Sequence, residues 1–463
     1  MLNIVEQGRS LNRRELLTIG GLGLGGAVLS SWLGHVSCGA ELAKLATGRS
    51  VIFLFQQGGP SQFETFDPKP AAPDGIRTVT GTCQTSLPGV LFGDSLPRLA
   101  ALADKLTIVR SFQSNNAGHN IQPIVGPDTR QANIGSLYSR VVGAANAENG
   151  LSTNCVIFPD SVCDDVLKGR ARGDIAATGK LGAAYAPFIP GAGGQLQKDM
   201  RLNLPQDRFA DRQELMEQLG ALSERMESSE PFQSLERAQQ QAYRVLLGGG
   251  VADALDLTRE APETIARYDT AQFTRPDGWS QAKRGKQGMY TGHAKALGKQ
   301  LLLARRLCEA GCGFVTIHAG YDGVWDMHAD GNNLNMVDGM QAVGLAFDHA
   351  VAALVEDIEA RGLQDKILLV ATGEMGRTPR INRNGGRDHW ARLAPLLLYG
   401  GGLPEGRIIG QSTRDGGEPA SQPLTPKHLV STLLHKLFDA GQLRLQSGLS
   451  QVASLAEHPT FPV

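Results

Sequence analysis

The sequence predicts an α/β fold, a three-layer sandwich with a mainly parallel central sheet. Short apolar runs recur along the chain and end in polar or Gly-rich loops; they are SVIFLFQQGGP, KLTIVRSF, NCVIFP, GCGFVTIHAG, DKILLVATGE and APLLLYGGG. Continuous apolar runs are typical of strands that are buried on both faces. Helix-like segments separate most of them, and this alternation favours a parallel sheet covered by helices.

The first strand and the clearest helix can be placed from local signals. The folded domain is expected to start near Gly48, directly before the first apolar run. The segment NMVDGMQAVGLAFDHAVAALVEDIEARGL has apolar residues at helical spacing, and Gly362 is its predicted C-terminal stop. This helix leads into the strand that is followed by Glu374.

Length and charge restrict the class of partner. With 463 residues, 41% of them hydrophobic, the chain can bury a large core in one or two domains. Its net charge of -1 indicates no extended field of either sign, so no nucleic-acid partner is expected. A small molecule, glycan or peptide fits better. The cysteines form no CxxC pair, so a zinc ribbon is not supported.

The first 47 residues resemble an export signal and linker. Arg13 and Arg14 precede an apolar, Gly-rich stretch, an arrangement typical of twin-arginine signals. A membrane anchor is the alternative, but the run from Leu16 to Leu33 is only marginally long enough to span a bilayer. We therefore expect a periplasmic or extracellular protein without a stable membrane span, in which residues 48–463 form a single domain.

A helical insertion is predicted at about residues 207–270. The composition there shifts to Glu, Gln, Arg and Leu, without the strand-like runs found elsewhere. The segment could cover the active site or contact a partner. A solvated helical hairpin packed against the side of the domain is the simpler interpretation.

Carboxylates and imidazoles follow three of the apolar runs. In open α/β sheets, ligands bind beyond the carboxyl ends of the strands, where the loops converge. The acidic and basic residues that follow these runs are Glu64, Asp67, Asp322, Asp326, His328, Asp330, Glu374, Arg377, Arg387, Asp388 and His389. Carboxylate together with imidazole is typical of zinc, manganese or iron sites, whereas calcium prefers oxygen alone. In the alternative interpretation, Asp388 only pairs with Arg377 or Arg387.

Four motifs carry a resemblance to a known family. In this order, the chain contains GGPSQFETFDPKP, GYDGVWDMH, GEMGRTPRIN and GRDHW. Together they resemble the bacterial family known as domain of unknown function 1501, which is grouped with the alkaline phosphatase and sulfatase superfamily. The resemblance covers nearly the whole of the predicted mature chain and implies that superfamily's three-layer fold.

The resemblance also implies metal ligands. One divalent ion would be held by Asp326, His328 and His389. In the superfamily, a neighbouring ion uses an acidic residue after the first strand and an Asp-His pair after another strand. Glu64 or Asp67 matches the first position, and Glu374 matches the pair in part. Met375 stands where the superfamily has a second imidazole, and Glu64 stands where relatives carry Asp. The implied cofactor is a divalent ion, with Zn, Mn and Ca as the candidates.

The superfamily's covalent nucleophile is not matched. The corresponding segment reads RSFQSNNAGHNIQPIVGP and places His119 near the expected point. Metal-activated water is therefore the simpler nucleophile. His119 could act as a base, a metal ligand or a substrate contact, or it could be structural. Arg377 and Arg387 could clamp a phosphate or sulfate, or pair with Glu374 and Asp388.

The sequence thus predicts an exported, metal-dependent hydrolase that acts on a sulfate or phosphate ester of a small molecule or glycan. Two alternatives remain open at this point. One is a non-catalytic exported protein that binds a metal or ligand, and the other is a structural protein of the envelope. The sequence predicts neither the substrate nor the oligomeric state.

Overall fold

A computed structural model describes residues 5–6, 9–10, 44–146, 148–191, 250–275, 278–279 and 284–462. Most of the predicted export signal, residues 1–47, lies outside the described residues. The same holds for residues 207–249 of the predicted insertion. The described end of that insertion is helical, with α-helices at Gly250–Leu255 and Pro262–Arg267.

The strands of the described residues are numbered in chain order. They are β1 (Val5–Glu6), β2 (Arg9–Ser10), β3 (Ser50–Phe55), β4 (Thr82–Gln84), β5 (Leu91–Gly93), β6 (Thr107–Val109), β7 (Asn154–Ile157), β8 (Phe314–His318), β9 (Ile367–Thr372), β10 (Gly376–Arg377), β11 (His389–Trp390), β12 (Leu396–Gly400) and β13 (Arg407–Ile409).

The α-helices are numbered in the same way. They are α1 (Pro97–Ala101), α2 (Ile134–Val142), α3 (Gly250–Leu255), α4 (Pro262–Arg267), α5 (Arg284–Glu309), α6 (Met336–Gly339), α7 (Leu345–Ala360), α8 (Pro426–Leu437), α9 (Ala440–Arg444) and α10 (Ser450–Ala453). One π-helical segment, Met340–Gly344, joins α6 to α7.

A central sheet of seven strands organises the part of the chain that the structure describes. Its order is β13-β6-β12-β9-β3-β8-β7. β12 is antiparallel to both of its neighbours, and the other pairs in the sheet are parallel. This confirms the predicted α/β class with a mainly parallel sheet, and each of the six apolar runs contains one of its strands.

Both faces of the sheet are covered. Successive side chains of a strand point to opposite faces. Ile52 and Leu54 of β3 therefore pack in the same core as the helices α5 and α7. Val51 and Phe53 point the other way and pack with α2 and α8. The result is three layers, as predicted. No helix in the described ranges has the length and apolar character needed to cross a bilayer.

A buried carboxylate connects α7 to the start of α1. Asp348 accepts hydrogen bonds from the backbone N–H groups of Arg98 (3.1 Å) and Leu99 (2.8 Å). These groups belong to the first turn of α1, which has no partner for them within the helix. Burial raises the pKa of Asp348 from 3.8 to about 6, although the two N–H groups oppose this shift.

This raised pKa predicts a pH-dependent stability. The folded chain keeps the Asp348 proton to a higher pH than the unfolded chain. Protonated Asp348 therefore stabilises the folded state fully below pH 3.8, and this contribution to the unfolding free energy is lost as the pH rises through about 6. The loss amounts to about 3 kcal/mol. Asp348→Asn keeps an acceptor for one of the two N–H groups and cannot titrate. The difference in unfolding free energy between the variant and the wild type should therefore change across this window, as measured by urea unfolding at several pH values.

The exposed Asp365→Asn exchange is the control, because it removes one carboxylate from the surface. Equal pH dependence in the wild type and Asp348→Asn would contradict this account of the Asp348 contact.

Candidate metal centre

The register of the sheet brings three loops to one edge. Phe55, the last residue of β3, lies opposite His318 of β8 and Thr372 of β9. Because these three strands are parallel and end level with one another, the loops that follow them start side by side. The Asp326 loop follows β8, and Glu374 follows β9. Strand order thus creates the convergence that the sequence pattern predicts.

Two further loops supply imidazoles to the same edge. β10 and β11 form a short antiparallel pair in which Arg377 lies opposite His389. The loop after β6 carries His119, and it is tied to the β11 loop by a hydrogen bond from the Asn115 N–H to the Ala391 carbonyl oxygen (3.0 Å).

Asp326 is the central residue of the cluster. Its Oδ2 lies 3.0 Å from His119 Nε2 and 3.1 Å from His328 Nε2. Its Oδ1 lies 3.3 Å from His389 Nε2 and 2.8 Å from Arg377 Nη2. Burial alone would raise the pKa of the Asp326 carboxyl, but the hydrogen bonds from the three imidazoles and the charge of Arg377 hold it well below its usual range. Asp326 is therefore an ionised carboxylate in a buried position.

His119 bridges two carboxylates. Its Nε2 contacts Asp326, and its Nδ1 lies 2.9 Å from Glu374 Oε1. Glu374 also accepts hydrogen bonds from the Gly58 N–H, at 2.9 and 3.1 Å. Burial lowers the pKa of His119, but the two carboxylates outweigh it and raise the pKa to about 9. Without another cation, a proton on His119 therefore balances part of the negative charge.

The residues fit a divalent cation. One donor atom each from His119, Asp326 and His389 lies within 4.8 Å of the others. Ligands about 2.1 Å from an ion lie at most about 4.2 Å apart, so small side-chain shifts would bring all three into one coordination sphere. His328, beside the same carboxylate, is a further donor. Nitrogen and oxygen together suit zinc or manganese better than calcium.

The orientation of His389 supports this fit. Its Nδ1 lies 2.9 Å from the carbonyl oxygen of Ala117. Because a carbonyl oxygen can only accept, Nδ1 carries a proton. Nε2 is then the nitrogen that faces Asp326, and it would bind a cation in place of the proton that it shares with the carboxylate. Metal-binding imidazoles commonly use their second nitrogen in this way.

Arg377 positions Asp326. The guanidinium is fully buried, and its Nη2 donates to Asp326 Oδ1 at 2.8 Å. Its Nε donates to the Gly59 carbonyl oxygen (2.7 Å), and its Nη1 donates to the Arg387 carbonyl oxygen (3.1 Å). The sequence suggested Glu374 as its pairing partner. The structure gives that role to Asp326, because Glu374 is held by His119 and Gly58 instead.

Glu64 and Arg387 form a separate ion pair. Both side chains are fully buried, and Arg387 Nη2 lies 3.1 Å from Glu64 Oε1. The guanidinium also lies over the Phe63 ring, 4.2 Å from its centroid. Its other acceptors are the carbonyl oxygens of Ile76, Arg77, Thr378 and Pro379. Every guanidinium nitrogen of Arg387 thus donates to the protein, and the partner of Arg387 is Glu64 rather than Asp388.

Asp67 and Asp388 lie outside the cluster. Asp67 pairs with Lys69 Nζ at 3.1 Å and also accepts a hydrogen bond from the Ser412 hydroxyl. The exposed Asp388 accepts a hydrogen bond from Asn382 Nδ2 at 3.3 Å. His389, the first residue of β11, contacts Asp326, whereas the side chain of Asp388 contacts Asn382 and not the cluster.

Two residues near Asp326, Asn333 and Lys286, were not identified as candidate site residues in the sequence. Asn333 Nδ2 lies 3.3 Å from Asp326 Oδ2, and Asn333 Oδ1 accepts a hydrogen bond from Lys286 Nζ. Asn333 lies in ADGNN, seven residues after Asp326, where its proximity could have drawn attention. Lys286 precedes β8 in a segment without a motif, so no local signal marked it.

The fold and the site define an α/β protein with a candidate metal centre at the carboxyl edge of its sheet. The chain belongs to the family described as protein of unknown function, DUF1501, whose sequence profile matches residues 48–443. This match confirms the family predicted from the motifs. No curated protein sequence matches the chain.

Several solved structures are similar at low identity. The PsFucS1 sulfatase from Pseudoalteromonas sp. is 12% identical, with a TM-score of 0.31 over 86% of this chain and 71% of that chain. The phosphonate monoester hydrolase SpPMH from Silicibacter pomeroyi is 12% identical, with a TM-score of 0.28 over 83% of this chain and 72% of that chain. Since these scores lie below 0.5, they do not assign an activity to this chain.

The cluster predicts stoichiometric metal binding. The full-length protein should take up a divalent ion when equilibrated with Zn or Mn. His389→Ala should lower the affinity by more than the roughly 10–100-fold that is typical for loss of a ligand's hydrogen-bond partner, because a nitrogen ligand itself is lost. Inductively coupled plasma mass spectrometry after dialysis measures the bound metal. Asp388→Asn is the matched control on the neighbouring residue and should bind like the wild type. Equal metal affinity of His389→Ala and the control would contradict the assigned ligand set.

Removal of the Glu64–Arg387 ion pair should lower the stability of the protein and leave metal binding intact. Glu64→Ala leaves a buried guanidinium without its carboxylate and should lower the unfolding free energy by about 3–5 kcal/mol. Denaturant unfolding gives this value. The double variant Glu64→Ala/Arg387→Met should recover part of it, because no buried charge remains. A Glu64→Ala protein that unfolds like the wild type but takes up no metal would instead make Glu64 a metal ligand.

Proposed function

We propose that the chain is a metal-dependent hydrolase that acts on a sulfate, phosphate or phosphonate ester. The observation that carries this proposal is the convergence of His119, Asp326 and His389, whose nitrogen and oxygen donors lie close enough to share one cation. A cation in this centre would polarise a bound ester and lower the pKa of water to supply a nucleophile. The superfamily resemblance in the sequence motifs supports this class of reaction.

The exposure of the cluster sets the side from which a substrate can enter. The Asp326 side chain is 4% exposed, whereas His328 and His389 are 22% and 27% exposed. The carboxylate thus lies at the base, and these two imidazoles lie at the surface. An anionic ester that approaches from the imidazole side meets nitrogen donors before it reaches the carboxylates, which would repel it.

His119 and Glu374 have distinct roles in the proposal. Glu374 accepts a hydrogen bond from His119 Nδ1 and thereby orients Nε2 toward Asp326. The backbone N–H of Gly58 holds Glu374 in place from the other side. Glu374 is therefore a positioning residue for the imidazole, and the proton on Nδ1 remains in this hydrogen bond when Nε2 serves as a ligand.

The nearby serines do not suggest a covalent nucleophile. The hydroxyl of Ser114 is hydrogen-bonded to the carbonyl oxygens of Asn116 (3.2 Å) and Ala391 (3.3 Å). Ser111 is fully buried. Water is consequently the nucleophile in this proposal, as the sequence suggested.

The proposed setting is outside the cytoplasm. It rests on Arg13-Arg14 and the apolar stretch that follows them, a twin-arginine pattern in the sequence. A periplasmic or extracellular enzyme of this class would meet small-molecule or glycan esters as substrates.

A non-catalytic metal-binding protein is the second candidate. It is favoured by the surroundings of the proposed second ion. Glu64 is held by Arg387, and Met375, which is buried, occupies the position where the superfamily has an imidazole. The Asp326 centre therefore has the ligands for one ion, and a protein that lost the second ion could retain binding without turnover.

Assays on three aryl esters decide between the two candidates. The metal-loaded wild type should hydrolyse an aryl sulfate, an aryl phosphate or an aryl phosphonate monoester, and metal removal by a chelator should abolish the turnover. His389→Ala should lower kcat/KM by about 10–100-fold, and Asp388→Asn should not. Tight metal binding with no turnover on any of the three esters would instead support the binding protein.

A further inference from the structure

Three basic side chains lie beside the metal centre, on its β8 side. Arg170 and Arg172 both contact the same oxygen, Oδ2, of the buried Asp322, at 3.3 and 3.0 Å. Lys286, from the first turn of α5, donates to the side chain of Asn333, which in turn contacts Asp326. One carboxylate oxygen thus serves two guanidinium groups, and the hydrogen-bond partners of the ammonium group are two neutral acceptors, Asn333 Oδ1 and the Gly323 carbonyl oxygen (3.4 Å).

Lys286 and Arg172 approach one point from different elements. Gly323 lies between them, with a φ of +86°. A Cβ atom on Gly323 would lie 3.3 Å from Lys286 Nζ, 3.8 Å from Arg172 Nη2 and 3.8 Å from the Asp326 Cβ. The two cationic groups and the central carboxylate residue therefore surround the space above Gly323, and any side chain there would crowd it.

The arrangement brings like charges together. Burial lowers the pKa of Lys286. The Asp326 carboxylate raises this pKa, whereas the nearby Arg172 guanidinium lowers it further. An anion between the two groups would stabilise both positive charges, because each would gain an opposite charge in a partly desolvated position. The Arg172 side chain is 44% exposed, so this space can be reached from solvent.

Arg172 is held in place by a buried amide from the sheet. Gln57 follows β3 and is fully buried. Its Oε1 accepts from the Arg172 N–H (2.9 Å), and its Nε2 donates to the Arg172 carbonyl oxygen (3.2 Å). The same Nε2 donates to the Asn120 carbonyl oxygen at 2.7 Å, next to His119. One side chain thus fixes Arg172 relative to the imidazole loop.

We propose that Arg172 and Lys286 form an anion subsite that binds a tetrahedral oxyanion, such as sulfate or phosphate, beside the metal centre. The guanidinium supplies a planar pair of donors and the ammonium supplies a compact charge, a combination suited to three terminal oxygens. The identification of this anion with the ester group of the substrate rests on the proposed function. The binding of the oxyanion itself requires only these two residues.

Anion titrations test the subsite without any catalytic readout. Inorganic phosphate and inorganic sulfate are titrated into full-length protein by isothermal calorimetry, in metal-loaded and in chelator-treated samples. Lys286→Gln and Arg172→Gln should each weaken binding of the anion at least tenfold in both samples. Lys286→Arg should retain most of the affinity, because the charge is kept.

Two matched controls remove the same charge elsewhere. Lys295→Gln lies on the same helix and breaks an exposed pair with Asp165, and Arg259→Gln breaks an exposed pair with Asp253. Both should bind the anion like the wild type. The proposal is overturned if Lys286→Gln and Arg172→Gln bind as tightly as the controls, or if the wild type binds neither anion at millimolar concentration.

The outcomes separate this inference from the proposed function. Anion binding that depends on Lys286 and Arg172 in a protein without bound metal or turnover would support the subsite and contradict the hydrolase. Metal-dependent turnover with an unchanged KM in both variants would support the hydrolase and contradict the subsite.

Discussion

The buried carboxylate of Asp326 is the constraint on which the site depends. An ionised carboxylate in this position would be costly without compensation, since burial disfavours the charged form. Arg377 supplies one full charge, and His328 supplies a hydrogen bond from the same loop. His119 and His389 supply hydrogen bonds from loops that are distant in sequence. Any cation that binds here replaces part of this compensation, so metal binding and the packing of these loops are coupled.

The two buried arginines have different tasks although they follow the same strand. Arg377 contacts Asp326 and therefore acts on the centre, whereas Arg387 is engaged by Glu64 and backbone carbonyl oxygens. The second pair joins the loop after β3 to the loop before β11. That connection stabilises the fold next to the centre, so Glu64 contributes to stability and not to the binding of the cation.

Much of the fold could be predicted from the sequence because the central strands β3, β8 and β9 are mainly apolar runs. β3, β8 and β9 were recognisable in this way, and their common direction followed from the intervening helices. The direction of β12 could not be predicted, since an apolar run carries no sign of its orientation. β13 has only three residues and an exposed Arg407 at its start, so it gave no strand signal.

The site was predictable only in part, for a related reason. Motif spacing indicated which loops converge, and it placed Asp326 and His389 among the candidate ligands. Motif spacing could not show that Glu64 is an ion-pair partner and not a metal ligand. The charge of Glu64 is neutralised by Arg387, which is 323 residues away in the sequence. The spacing also gave no sign of Lys286, whose proximity to the centre depends on the packing of a helix against the sheet.

If His119, Asp326 and His389 share one cation, the position of that ion is decisive. Crystals of the protein grown with manganese would be measured at an X-ray energy where manganese scatters anomalously. We expect one strong anomalous peak within coordination distance of the two imidazole Nε2 atoms and the Asp326 carboxylate. An ordered, metal-saturated crystal without a peak there, or with its peak at Asp67 or Asp388, would contradict a shared cation.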